Sequence, residues 1–155
     1  MLNKWDLVPE GTDPEEFGEY LTRELRGFDY APIVLVSAES AEGIEDVVSM
    51  AFNLREQAAH RETTGKLNAI IESILKQRGP SSRLGTQAKL LYVSQVAVDP
   101  PTIAMGVNDP KLFEGRYERY LMNRLREEMP YSEVPIRLLF SKRTRKSLQD
   151  LKTRQ

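Results

Sequence analysis

The sequence predicts two consecutive folding units, an α/β unit followed by an α+β unit with the element order α-β-β-α-β. In the first unit a short apolar run lies between two amphipathic helical patterns, and in the second, helical and β-forming segments follow one another in that order. The charges divide in the same way: residues 1–62 hold 5 Lys and Arg against 14 Asp and Glu, whereas residues 63–155 hold 17 against 9. Opposite net charges in the two parts of the chain indicate two modules with different partners.

The first unit is predicted to contain two helices separated by one strand. Asp13 and Pro14 are residue types preferred at a helix N-cap and at the first helical position, and Gly27 is a suitable stop. Residues 32–37 form a continuous apolar run without a period, which is typical of a strand buried on both faces of a sheet. A second amphipathic helix follows over residues 44–57. Helix, buried strand and helix together predict an α/β architecture.

The second unit is predicted to begin with an amphipathic helix over residues 64–78. Two strands follow at residues 89–98 and 102–107, separated by an Asp-Pro-Pro turn. A longer helix at residues 112–128 comes after an Asn-Asp-Pro capping signal, and a last strand occupies residues 134–140. This order is that of a small α+β domain, and a basic tail closes the chain.

The composition sets aside several kinds of chemistry. The chain has no cysteine and His60 is its only histidine, so disulfides, thiolate metal sites and nucleophile pairs that use these residues are not expected. No basic segment followed by an apolar run opens the sequence, and no apolar stretch is long enough to cross a bilayer. We therefore expect a cytoplasmic protein without membrane contacts.

The sequence Asn-Lys-Trp-Asp at residues 3–6 has the form of a loop that reads guanine. Guanine presents its N1–H and N2–H₂ donors side by side, so the Asp6 carboxylate can accept from both, whereas adenine would leave that charge unpaired. Lys4 can lay its aliphatic stem along the base, and Asn3 can hold neighbouring loops by hydrogen bonds. Ser37 and Ala38 follow the predicted buried strand, where a second loop could supply a backbone N–H to guanine O6.

The order of these motifs resembles the guanine-specificity half of a Ras-like GTPase domain, on the residues NKWDLV, YAPIVLVSA and EGIEDV. The rest of the chain, to about residue 143, closely resembles the C-terminal KH-like domain of the Der family, also called EngA. The residues that carry this second resemblance are TGKLNAIIESIL, LLYVSQVAVDPPTIAMGVNDPKLFEGRYERYLMNRLRE and VPIRLLF. Members of this family are bacterial GTPases with two tandem G domains, implicated in assembly of the large ribosomal subunit.

The resemblance implies a partial P-loop GTPase-type domain over residues 1–62, a KH-like domain over residues 63–143 and a basic tail over residues 144–155. It implies that GTP or GDP binds only together with an N-terminal part that this chain lacks. It also implies Mg²⁺, although this chain contains none of the residues that would coordinate the ion. The implied partners are the large ribosomal subunit with its rRNA and the G domains of the full-length protein. The implied guanine-binding residues are Asn3, Lys4, Trp5, Asp6, Ser37 and Ala38.

The sequence departs from the family pattern in the parts that hold phosphate. A Walker A loop requires G-x-x-x-x-G-K-[ST], but the only Gly-Lys pair, Gly65-Lys66, is followed by Leu67 and has His60 at the leading glycine position. The switch segments are also missing, so we expect a C-terminal fragment that does not hydrolyse GTP alone. No two glycines are spaced as in the GXXG loop of RNA-binding KH domains, so any RNA contact is expected to be electrostatic.

A stand-alone module that binds RNA or the ribosome, without a nucleotide function, is the main alternative; a protein-interaction module is another. Tyr92, Tyr117 and Tyr120 could stack bases, although half-buried packing roles also suit their spacing. The basic tail could grip phosphates or simply keep the chain soluble. The candidate RNA or ribosome contacts are Arg83, Lys89, Lys142, Arg143, Arg145 and Lys146.

Overall fold

The structure, a computed structural model, describes residues 1–80 and 87–142. The chain divides into two compact units, Met1–Glu56 and Gln57–Gln155, and each is described by itself. The domain boundaries expected from the sequence stay predictions. No helix within the described ranges is both long enough and apolar enough to span a membrane.

Two helices build the first unit at the places that the sequence predicts. Helix α1 spans Pro14–Glu24 and helix α2 spans Ile44–Ala59, so the last residues of α2 belong to the second unit. Asp13 caps α1 as expected, because its Oδ1 accepts a hydrogen bond of 2.8 Å from the Glu15 N–H. The two helices of the predicted α/β unit are therefore present.

The predicted strand at residues 32–37 is the part of the first unit that the structure corrects. These residues form no regular strand but make two isolated bridges, a parallel one between Leu2 and Leu35 and an antiparallel one between Ser37 and Glu42. The Leu2 N–H donates to the Val34 carbonyl at 2.8 Å. The expectation of burial on both faces holds only at Val36 and Ser37, whereas Ile33 is 39% exposed. Two single bridges cannot cover an extended segment in the way that flanking strands and helices do.

A glycine allows α2 to begin close to this extended segment. Gly43 has a φ of +72°, and a Cβ at this position would lie 2.3 Å from the Leu35 carbonyl oxygen. Its own carbonyl accepts the Val47 N–H at 3.1 Å, which opens the hydrogen-bond series of the helix. Only glycine combines this backbone conformation with so close an approach.

The second unit has the predicted element order α-β-β-α-β, and the α+β class is confirmed. The second helix of this unit, α4 at Arg116–Glu128, begins later than predicted because Pro110–Leu112 forms a separate 3₁₀ turn, whose N-cap is Asp109. Asp109 is therefore a helix cap, as the sequence predicts, but it caps this 3₁₀ turn and not the long helix. The elements are α3 at Thr64–Gln77, β1 at Leu90–Ala97, β2 at Thr102–Val107, α4 at Arg116–Glu128 and β3 at Arg137–Lys142.

The three strands of the described residues form one mixed sheet in the order β1-β2-β3. Strands β1 and β2 are antiparallel, whereas β2 and β3 are parallel, which requires a crossover that α4 supplies. Helix α3 packs on β1 and on α4, and every residue of the central strand β2 is buried. The helices contribute to this core the buried side chains Leu67, Ile71, Ile74, Leu121 and Leu125.

Gly106 in β2 is required by a side chain from the neighbouring strand. The Tyr92 ring of β1 lies across it, so that a Cβ at position 106 would be 2.0 Å from a ring carbon. The Tyr92 hydroxyl reaches over β2 to Ser141 Oγ in β3, at 3.2 Å. Tyr92 is half-buried in this position, and its ring packs against the sheet backbone.

Candidate functional site

The side chain of Asn3 links the two predicted base loops of the first unit. Its Oδ1 accepts hydrogen bonds from the Lys4 N–H at 2.8 Å and from the Ala38 N–H at 3.1 Å, although Asn3 and Ala38 are 35 residues apart in the chain. The Trp5 N–H donates to the Val36 carbonyl at 3.0 Å, which ties the same two segments together through the backbone. The structure therefore brings the Asn-Lys-x-Asp loop and the Ser-Ala loop side by side.

The first loop turns sharply so that its two charged residues are in solvent. Lys4 has a left-handed conformation, with φ 69° and ψ 34°, and precedes a 3₁₀ turn at Trp5–Leu7 that contains Asp6. Lys4 and Asp6 are exposed. The half-buried Trp5 ring packs edge-on against Phe17 of α1, with ring centroids 5.6 Å apart. Trp5 thus anchors the loop, and the Asp6 carboxylate remains available to a ligand.

The two residues of the second loop have different surroundings. Ser37 is fully buried, and its Oγ accepts the Ser40 N–H at 3.2 Å while its own N–H donates to the Glu42 carbonyl at 3.0 Å. Its side chain therefore shapes the turn, and its role in binding a base stays a prediction. Ala38 is exposed, and its N–H is the group that donates to Asn3.

The predicted RNA contacts lie in the second unit, and two of them fall within the described residues. The sheet register places Lys142 opposite Val107 and Val107 opposite Leu90, so Lys89 and Lys142 flank the same end of β2. Asn108 fixes this end, because its Oδ1 accepts the Lys89 N–H at 2.8 Å. Lys89 and Lys142 are both exposed. The other candidates lie outside the described residues: Arg83, Arg143, Arg145, Lys146 and the basic tail.

The Gly-Lys pair forms the first turn of a helix. Thr63 is the N-cap of α3, and its Oγ1 accepts the Lys66 N–H at 3.3 Å. The Lys66 ammonium donates to Glu62 Oε2 at 2.7 Å. Gly65 and Lys66 therefore build a capped helix start, and they do not form a loop that could surround phosphate.

A buried polar cluster centred on Gln95 is a feature that the sequence reasoning missed. Gln95 is 5% exposed, and its Nε2 donates to the His60 carbonyl at 2.8 Å. Its Oε1 accepts from the Glu62 N–H at 2.7 Å and from the Tyr131 hydroxyl at 3.1 Å. The sequence indicated this cluster only weakly. Val93 and Gln95 are two residues apart in β1 and both point inward, where a polar side chain requires hydrogen-bond partners. The cluster fixes the segment before α3 to the sheet.

Two groups of this cluster have displaced pKa values. The pKa of Glu62 falls from its ordinary value of 4.5 to about 2, chiefly because Lys66 and then the Thr63 N–H donate hydrogen bonds to its carboxylate, and burial opposes the shift. Burial raises the pKa of Tyr131 to about 12, with a further contribution from the charge of Glu62. The Tyr131 hydroxyl is therefore protonated at neutral pH and donates a hydrogen bond to Gln95 Oε1.

We expect acidification to destabilise the protein more than it destabilises a Glu62→Gln variant. Since the pKa of Glu62 in the folded chain lies below its ordinary value of 4.5, the ionised carboxylate stabilises the fold fully above that pH, and the contribution is lost as the pH falls towards about 2. Urea denaturation followed by circular dichroism across this range measures the difference. Glu72→Gln, which changes an exposed carboxylate of α3, is the matched control and should behave like the unmodified chain. Equal acid sensitivity of the unmodified chain and Glu62→Gln would contradict the assignment.

The architecture of the second unit, with a three-stranded mixed sheet of the order α-β-β-α-β, defines a KH-like domain. Residues 61–141 match the family model described as "KH-domain-like of EngA bacterial GTPase enzymes, C-terminal". The chain belongs to this family, as its motifs led us to expect.

Curated relatives extend the similarity to most of the chain. The GTPase Der of Rhodopirellula baltica is 34% identical over 145 residues, which are 94% of this chain and 32% of the relative. The GTPase Der of Desulforapulum autotrophicum is 37% identical over 147 residues, 94% of this chain and 30% of the relative. The chain thus spans about a third of the length of the curated relatives it matches.

Proposed function

We propose that this chain acts as the guanine-reading and KH-like part of a Der/EngA-type GTPase that takes part in assembly of the large ribosomal subunit in the cytoplasm. The observation that carries the proposal is the pair of hydrogen bonds accepted by Asn3 Oδ1, because they hold the two loops of a base site next to each other. The similarity to proteins named GTPase Der supports the same function. The G domains of the longer protein would be intramolecular partners of this chain.

In this proposal, Asp6 selects the base. Its exposed carboxylate accepts hydrogen bonds from guanine N1–H and N2–H₂, and adenine cannot offer that pair of donors. Guanine is preferred to adenine because, with adenine bound, the Asp6 carboxylate would lose its hydrogen bonds to water and gain none from the base. Lys4 covers the base plane with its aliphatic stem, and Trp5 keeps the loop in place through its contact with Phe17.

Guanine O6 also needs a hydrogen-bond donor, and the candidate donor, the Ala38 N–H, already has an acceptor in Asn3. The Ala38 N–H donates to Asn3 Oδ1 at 3.1 Å, so guanine O6 would share or replace that acceptor. The sequence contains no Walker A loop, so phosphates and Mg²⁺ would be bound mainly by residues outside this chain. The chain is therefore assigned selection of the base and no hydrolytic step.

A chimera tests this function in an active context. The 145-residue stretch of the Rhodopirellula baltica GTPase Der that matches this chain is replaced by the chain itself. We expect the chimera to hydrolyse GTP and to prefer GTP to ATP as the unmodified relative does. A folded chimera that hydrolyses both nucleotides equally would overturn the proposal.

Binding of ribosomal RNA by the second unit is a second candidate function, with or without nucleotide. The observation that favours it is the position of Lys89 and Lys142 at one end of the sheet, in the part of the chain that holds 17 Lys and Arg against 9 Asp and Glu. When binding uses phosphate contacts, the logarithm of the affinity falls linearly with the logarithm of the salt concentration. Salt-independent RNA binding, or none, would argue against this function.

A further inference from the structure

A depression between the ends of α3 and α4 combines cations with aromatic rings. It encloses about 420 Å³ in the second unit. Arg78, which follows α3, is on one side, and the 3₁₀ turn and the first turns of α4 form the rest. The residues that matter for its chemistry are Arg78, Lys111, Glu114, Arg116, Tyr117 and Tyr120.

The aromatic part of this depression is preassembled. The Arg78 guanidinium lies over the Tyr120 ring, 5.2 Å from its centroid, and the Tyr117 ring lies 5.5 Å from that of Tyr120. The Tyr117 hydroxyl donates to the Arg78 carbonyl at 2.8 Å. Burial raises the pKa of Tyr117 to about 12, so this donor is present at neutral pH. The Arg78, Tyr117 and Tyr120 side chains are therefore held together by a cation–π contact, a tilted ring contact and a hydrogen bond to the backbone.

The charged part of the depression is positive. It is lined by three cations, Arg78, Lys111 and Arg116, and by a single carboxylate, Glu114. All four of these residues are exposed, and no ion pair between described residues engages any of the three cations. Arg124, farther along α4, differs, since it pairs with Glu127 and Glu128. The cations of the depression are thus available to an anionic ligand.

We propose that this depression binds single-stranded RNA, with Lys111 and Arg116 on phosphates and one base stacked on the Arg78 guanidinium above Tyr120. The inference rests on the RNA-binding function proposed above and names a site for it. Bases stack on aromatic rings and on arginine planes, and an arginine already held over a tyrosine presents a flat surface for this purpose. An acidic peptide would satisfy the charges but would leave that surface unused.

The test measures binding of a fluorescein-labelled, mixed-sequence single-stranded RNA of about ten nucleotides to the full chain by anisotropy, across a salt series. Arg78→Lys keeps the positive charge but removes the planar guanidinium on which a base would stack. We therefore expect the affinity for RNA to fall about fivefold to tenfold and the affinity for inorganic polyphosphate to stay unchanged. Lys111→Ala and Arg116→Ala should each lower the slope of log affinity against log salt by about 0.7.

The matched controls are Lys76→Ala on α3 and Arg119→Ala on α4, which remove exposed cations that do not line the depression. If RNA binds and all five variants have equal effects, this site is wrong and RNA binding by the chain stands. If the unmodified chain does not bind RNA, the proposed RNA function fails together with the site. If oligoglutamate binds as tightly as RNA and Arg78→Lys weakens both equally, the ligand is an acidic peptide and the inference is overturned.

Discussion

Asp6→Asn in the chimera is expected to lower affinity for GDP by about two orders of magnitude and to raise affinity for xanthosine diphosphate. The asparagine NH₂ group would face the guanine donors, so one favourable charge-assisted pair becomes a clash of donors. Xanthine has a carbonyl oxygen at C2, which can accept from that NH₂ group while its N1–H donates to the amide oxygen. Equilibrium competition against a fluorescent nucleotide measures both affinities.

A second aspartate-to-asparagine substitution, at another position of the first unit, serves as the control. Asp13→Asn converts the N-cap of α1, whose Oδ1 accepts the Glu15 N–H, and asparagine is an equally good cap. This variant should leave both nucleotide affinities unchanged. Unaltered preference for GDP in Asp6→Asn would show that Asp6 does not read the base.

Gln95→Leu is expected to destabilise the second unit by about 3 kcal/mol, because leucine fills the space but makes none of the hydrogen bonds. The Glu62 N–H, the His60 carbonyl and the Tyr131 hydroxyl would all lose a partner inside the protein. Hydrogen exchange of the β2 amides reports unfolding of this unit alone, because β2 is the central strand. Their protection should fall by about two orders of magnitude.

Two controls separate the cluster from general packing. Tyr131→Phe removes one hydroxyl from the same cluster and should cost about 1 kcal/mol. Ser94→Ala changes the neighbouring, half-buried position of β1 and should have little effect on exchange in β2. A loss below about 1 kcal/mol in Gln95→Leu would mean that solvent reaches these groups and satisfies them.

The sequence was informative wherever a local pattern decides local structure. The period of apolar residues predicted α3, and strand β2 occupies the predicted residues 102–107. Capping residues were also readable, as Asp13 shows. The failure at residues 32–37 has a physical cause, since an apolar run predicts a buried strand only when neighbours exist to bury it.

The candidate sites differ in the same way, since one is encoded by consecutive residues and the other by residues far apart in the chain. The residue types of the first base loop, and hence the chemistry that could read guanine, were visible in four consecutive residues, 3–6. The contact between Arg78 and Tyr120 was not visible, because Arg78 follows α3, Tyr120 lies in α4, and each alone resembles an ordinary surface or packing residue. The sequence indicated that Tyr117 and Tyr120 could stack bases, but not which surface of the domain they would line.

The sequence by itself determined the order of helices and strands in the second unit, the division of charge between the two parts of the chain and the absence of a Walker A motif. The tertiary structure decided that Asn3 holds Ala38, that Gln95 meets Tyr131, 36 residues away, and that an arginine covers Tyr120. The reason is that periodicity and capping act over a few residues, whereas these contacts depend on where the chain returns after a strand or a helix. Their energies come from burial and hydrogen-bond partners that no local pattern records.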